Sequence, residues 1–143
     1  WSLARFEGLA KALLAEGVPV VVTGSPQERS ALTPWLERMS GTPGFTDAAG
    51  AWTLAQLMDA LVQVRCVVAS STGPLHMAAA QGTPTVGLYW SDAPFWPERW
   101  GPLGPGEVLA NSEVEAAGGL NLSVEDVLAA VHRVRASDGT QSV

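Results

Sequence analysis

Three short runs constrain this chain more than any other feature. Pro19–Gly24 (PVVVTG), Cys66–Ser70 (CVVAS) and Thr85–Trp90 (TVGLYW) are each almost wholly apolar. A strand with one face in water alternates polar and apolar residues, so a run without alternation belongs to a strand buried on both faces, as in parallel sheets. The segments between them read as helices, and parallel strands need such crossovers. The expected fold is therefore α/β: a doubly wound parallel sheet covered on both sides.

The helices carry their own signals. Residues 3–14 set Leu3, Phe6, Leu9, Ala10, Leu13 and Leu14 at helical spacing. Ser2 is the N-cap candidate, with Trp1 and Phe6 placed to staple across it, and Gly17 stops the helix. A second helix follows Ser25, with Pro26 at its first position and Glu28 completing an S-x-x-E capping box. Pro34 is expected to bend or divide it. Residues 44–50 (GFTDAAG) hold room for a very short strand. Thr53-x-x-Gln56 caps a third helix with Leu54, Leu57, Met58, Leu61 and Val62 on one face. An Ala-rich helix runs from Pro74 to Gln81 and ends at Gly82. Residues 91–106 read as loop, Glu107–Ala110 as a last short strand, and Ser123-x-x-Asp126 opens a final helix. The domain is expected to span residues 1–136, with 137–143 a disordered tail.

Composition narrows the function classes. The 143 residues suit one domain, 47% are hydrophobic and only 15% are charged. A net charge of −6 argues against a nucleic-acid binder, which carries a basic stripe. No stretch approaches the roughly 18 apolar residues of a membrane span. Cys66 stands alone, so neither an intrachain disulfide nor a multi-Cys metal site is expected, and its apolar neighbours predict an inert thiol. The chain opens on Trp1 without a signal-like segment, and a piece of a larger protein is expected.

In doubly wound sheets ligands bind beyond the carboxyl ends of the strands. Here those ends are Thr23-Gly24-Ser25, Ser70-Ser71-Thr72-Gly73 and Trp90-Ser91-Asp92. The second leads straight into a helix. Pro74 at its first position sacrifices no hydrogen bond, and Gly73 lets a ligand approach without meeting a Cβ. Thr72 and Ser71 add hydroxyls, His76 adds a donor in the first turn, and the helix dipole adds about half a positive charge. These features suit a phosphate or diphosphate. An ordinary capped turn with a histidine filling a polar gap has the same residues.

The run STGPLHMAAAQGTPTVGLYW resembles the donor-site signature of family-9 glycosyltransferases, the ADP-heptose:lipopolysaccharide heptosyltransferases, which reads D-[ST]-G-x-x-H-[LM]-A-A-A-x-G-x-P-x-[VI]-x-L-[FY]-G. The likeness extends over roughly residues 1–104, through VVVTGSPQER and GAWTLAQLMDALVQVRCVVAS. It implies a GT-B glycosyltransferase and, within it, the Rossmann-like C-terminal half that binds a nucleotide-diphosphate sugar such as ADP-heptose. The substrate aside, no cofactor and no metal are implied. The resemblance puts Ser71, Thr72, Gly73 and His76 on the donor diphosphate or its sugar, with Thr23 and Gly24 lining the same edge. It puts Glu28 on the ribose hydroxyls, against its reading as a cap, and Trp52 near the adenine, against its reading as core. The N-terminal acceptor domain is the implied partner and the source of the catalytic base, for which this chain offers no residue. Lipopolysaccharide-core or other glycan acceptors and a cytoplasmic location peripheral to the inner membrane are implied likewise. Two positions depart from the signature: its leading Asp is Ser71 and its closing Gly is Trp90. Tyr89, Trp90, Phe95, Trp96 and Trp100 are expected to face the missing domain rather than to form a sugar platform. A flavodoxin-like or other nucleotide-binding module without transferase activity is the alternative. There the phosphate loop follows the first strand, whereas here it follows a later one.

Overall fold

The computed structural model describes residues 1–92, 94, 97–116 and 118–138. Helix α1 (Leu3–Ala15) begins at Ser2, whose side chain makes no capping bond. Trp1 and Phe6 close over that end edge to face, with ring centroids 4.9 Å apart, as a hydrophobic staple requires. Strand β1 (Val20–Val22) follows, then α2 (Arg29–Met39), β2 (Phe45–Asp47), α3 (Leu54–Leu61) and β3 (Val67–Ser70). The second half holds α4 (Gly73–Ala80), β4 (Thr85–Trp90), a short α5 (Pro97–Trp100), β5 (Gly106–Asn111) and α6 (Val124–Asp138).

Among the described residues the five strands pair only in parallel, as the unalternating apolar runs predict. The ladder forms two pieces, β1 with β2 and β3-β4-β5. One cluster packs Leu9 and Leu13 of α1 and Val127, Ala130, Val131 and Val134 of α6 against Val86 and Leu88 of β4. A second gathers Ala10 of α1, Val22 of β1 and Leu32, Trp35, Leu36 and Met39 of α2. Each fully buried Leu or Val here contributes about 1.5–3 kcal/mol. α4 covers the opposite face of the sheet: a Cβ at Gly87 would press on the Leu75 side chain, so β4 meets that helix there without one.

Several expectations change. β1 is not buried on both faces, since Val21 is 41% exposed. Pro34 neither breaks nor divides α2, which runs unbroken from Arg29 to Met39. The proline lies within two turns of the helix start, and buried Leu32, Trp35, Leu36 and Met39 hold the helix on its neighbours. The apolar stripe of α3 is not covered: Leu54 is 64% and Val62 55% exposed, and only Leu61 is buried. α5 lies inside the expected loop, started by Pro97. α6 extends to Asp138, two residues past the expected end, and residues 139–143 of the expected tail lie outside the described residues.

Candidate functional site

The predicted residues fall in two groups, Thr23, Gly24 and Glu28 with the Trp52 loop beyond the carboxyl end of β1, and Ser71, Thr72, Gly73 and His76 beyond that of β3. At β3 the chain leaves through Ser71 and Thr72, both exposed. Thr72 is extended (φ −136°, ψ 164°) and takes the N-cap position of α4 without a side-chain cap. Its carbonyl accepts the His76 N–H at 3.3 Å. The amides of Gly73 and Leu75 have no acceptor within the helix, and Pro74 has none to donate. A Cβ at Gly73 would meet nothing within 4 Å, so the turn opens onto free space. His76 is half-buried on the same turn.

Ser71 lies beside the Tyr89 phenol, whose pKa burial raises and Ser71 pulls back in part. The phenol donates to the Trp100 carbonyl at 2.6 Å, which fastens the end of β4 to α5.

At the end of β1, Thr23 is exposed and Gly24 half-buried. The capping box forms: the Ser25 N–H donates to the Glu28 carboxylate at 2.7 Å, and the Glu28 N–H donates to Ser25 Oγ at 3.3 Å. The Ser25 backbone N–H first, and the Ser25 hydroxyl after it, hold the Glu28 carboxyl below its usual range. Residues 26–28 form a turn rather than helix, so the box sits just ahead of α2. One carboxylate oxygen thus already accepts the Ser25 amide, while the side chain stays exposed.

Trp52 lies outside both core clusters and is 36% exposed, which removes its reading as a core residue. Its loop is tied to that of Gly24, whose carbonyl accepts the Gly50 N–H at 2.8 Å. Arg29 strengthens the tie by reaching Asp47 at 2.7 Å and the Ala49 carbonyl at 2.8 Å. Sequence reasoning missed Arg29, because its bond to Asp47 joins residues 18 positions apart. The nearest signal was Asp47 standing at the end of the short strand β2.

The described members of the aromatic set, Tyr89, Trp90 and Trp100, do not form one surface. Tyr89 is buried and Trp90 packs on the core. Trp100 is 46% exposed, with its indole N–H on the Pro94 carbonyl and Arg99 over its ring at 5.2 Å. Phe95 and Trp96 lie outside the described residues. Burial pushes the Cys66 thiol up to about 12, as expected of an inert cysteine. Two surface clefts of about 410 and 270 Å³ lie at the opposite edge of the sheet, one beside Lys11 and Arg38 and one beside Gly82 and Glu107. Neither is lined by a candidate residue, and neither has the converging polar groups of the strand ends.

A family model described as glycosyltransferase family 9 (heptosyltransferase) matches residues 1–121. A curated Escherichia coli relative, lipopolysaccharide heptosyltransferase 3, is 31% identical over 98 residues, covering 67% of this chain and 29% of its own length. The solved family-9 glycosyl transferase of Veillonella parvula superposes with a TM-score of 0.80 at 25% identity, over 96% of this chain and 42% of that one. The E. coli heptosyltransferase WaaC, solved with ADP, shares the fold with a TM-score of 0.74 at 19% identity, over 94% of this chain and 39% of that one. The chain therefore spans under a third of the curated relative's length. Among the described residues no helix is long and apolar enough to cross a membrane.

Proposed function

Because the chain belongs to glycosyltransferase family 9, the heptosyltransferases, we propose that residues 1–136 are the donor-binding half of a two-domain enzyme that moves a sugar from a nucleotide diphosphate to a glycan hydroxyl. The observation that carries this reading is the turn at Thr72-Gly73-Pro74. It lies at the carboxyl edge of a parallel sheet, with unbonded helix amides and no side chain filling the space before Gly73. A diphosphate seated there meets the α4 dipole, the Thr72 hydroxyl and His76, groups that stabilise charge as it develops on the leaving group. Glu28 offers its second carboxylate oxygen to ribose hydroxyls while the first keeps the cap. Trp52 offers an aromatic face to the base. The resemblance to a heptosyltransferase solved with ADP favours ADP-heptose as donor, and that to lipopolysaccharide heptosyltransferase 3 favours a lipopolysaccharide-core acceptor. Acceptor and catalytic base belong to the partner domain, so this chain alone binds nucleotide weakly and turns over nothing.

The test is calorimetric titration of the chain with ADP, UDP and GDP, repeated on Gly73→Asp. The aspartate has room and sits at a helix N-terminus, where an acid stabilises by about 0.3–1 kcal/mol. The melting temperature is therefore expected to hold or rise while ADP binding is lost. Unchanged ADP binding by the variant, or sugar transfer by these 143 residues alone, overturns the assignment.

A further inference from the structure

One side chain straps together the two loops that leave the carboxyl end of the β1–β2 ladder. Asp47 closes β2 opposite Val22, and the loops beyond these strands carry Glu28 and Trp52. Arg29, the first residue of α2, crosses from one loop to the other. Its Nη1 donates to the Asp47 carboxylate at 2.7 Å and to the Ala49 carbonyl at 2.8 Å. The same carboxylate oxygen accepts the Ala49 N–H at 3.0 Å. Ala49 is thus held by its amide and by its carbonyl at once. The root of the strap is fixed as well: the Arg29 amide donates to the Ser25 carbonyl at 3.2 Å, and the Arg29 carbonyl accepts the Thr33 hydroxyl at 2.8 Å.

The loops also meet backbone to backbone. Gly50, bonded to the Gly24 carbonyl, has φ +69°, and a Cβ there would stand 3.3 Å from the Pro26 Cα. Side chains do little to anchor the second loop, since Ala48, Ala49, Gly50 and Ala51 have none beyond Cβ. Its course is set by hydrogen bonds, and Arg29 supplies the strongest of them.

An ion pair this exposed adds little to stability, because water screens it and two side chains lose freedom in making it. What it fixes is a distance. Glu28 directly precedes Arg29, and Trp52 stands three residues beyond Ala49. A shift of one loop against the other therefore changes the spacing between the carboxylate and the indole. Ordering a loop in advance removes a cost that a ligand otherwise meets on binding. A planar guanidinium holds direction as well as distance, which an ammonium does not.

We infer, on the donor-site reading proposed above, that Arg29 is a positioning residue for the nucleoside half of the donor. It acts through Glu28 and Trp52, whose spacing it holds. The diphosphate half is set separately by the turn before α4, which belongs to the other piece of the sheet.

Calorimetric titration of this chain with ADP and with inorganic pyrophosphate separates the two halves. Arg29→Met is expected to weaken ADP about tenfold and pyrophosphate by under about twofold. Its melting temperature is expected to fall by under about 4 °C, as for an exposed pair. Equal weakening of both ligands, or unchanged ADP binding, overturns the inference. Asp47→Ala removes the other end of the strap and is expected to weaken ADP to a similar degree. Adding Arg29→Met to it is expected to cost under about a further twofold, because the two act as one unit. Fully additive losses overturn the inference too. Hydrogen exchange supplies a readout without nucleotide. The amides of Ala49 and Gly50 are expected to exchange about tenfold faster or more in Arg29→Met, while those of β4 keep their rates. Unchanged rates at Ala49 and Gly50 overturn the inference whatever becomes of the donor site. Loss of ADP binding in Gly73→Asp alongside full binding in Arg29→Met removes this inference alone, whereas failure of the unaltered chain to bind ADP removes the donor-site reading and this inference with it.

Discussion

Glu7 lies on the buried face of α1 and stays charged because two cations reach it. Arg38 of α2 approaches to 2.5 Å and Lys11, one turn on, to 2.8 Å. Their hydrogen bonds, Arg38 first, hold the Glu7 carboxyl down to about 2 against an ordinary 4.5. The unfolded chain therefore takes up this proton first. The stability from the pair is complete above about pH 4.5 and is lost as pH falls toward 2. Acid unfolding followed by circular dichroism is expected to begin in that window. Glu7→Gln is expected to flatten that limb and cost about 1 kcal/mol at neutral pH, a small value because both cations are largely solvated. Gly106 is a sharper case: it holds φ +139°, and a Cβ there would collide with the Thr85 carbonyl. Gly106→Ala is expected to cost about 3 kcal/mol in a thermal melt, since both conformation and space exclude the side chain. At this scale the sequence reveals what is local. The Ser25–Glu28 box is readable because its partners are three residues apart; the Tyr89–Trp100 and Arg29–Asp47 bonds are not, because only the folded chain brings them together.

Among the elements, α3 shows both the reach and the limit of periodicity. Its capping box is present as expected, with the Gln56 N–H on Thr53 Oγ1 at 3.3 Å and the Thr53 N–H on Gln56 at 2.9 Å. Thr53→Ala is expected to cost about 1 kcal/mol by denaturant titration, with the fold otherwise intact. The spacing of Leu54, Met58 and Val62 identifies an apolar face correctly, but a helical period says nothing about what covers it. α5 escaped notice because four residues are too short for any period to register. The short strands were legible for the opposite reason. Unbroken Val and Ala runs bounded by Pro, Gly and Ser have few other uses in a domain of this size.

For the whole molecule, fold class followed from the order of elements, and the position of the candidate site followed from fold class. What no residue pattern displayed was the division of the sheet, because pairing of distant strands depends on topology. That division bears on how the molecule melts. Two clusters of side chains, each with its own ladder, meet chiefly through α1, and Phe6 and Val20 belong to the margins of both. Cooperativity is only as strong as such a joint. Calorimetry of the 143-residue chain is expected to give a heat of unfolding larger than the steepness of its transition implies, the mark of two units parting in sequence. Phe6→Ala is expected to separate the two steps further. A molecule hinged in this way would lose the β1–β2 lobe first, and with it Glu28 and the loop of Trp52, while the turn before α4 stayed in place.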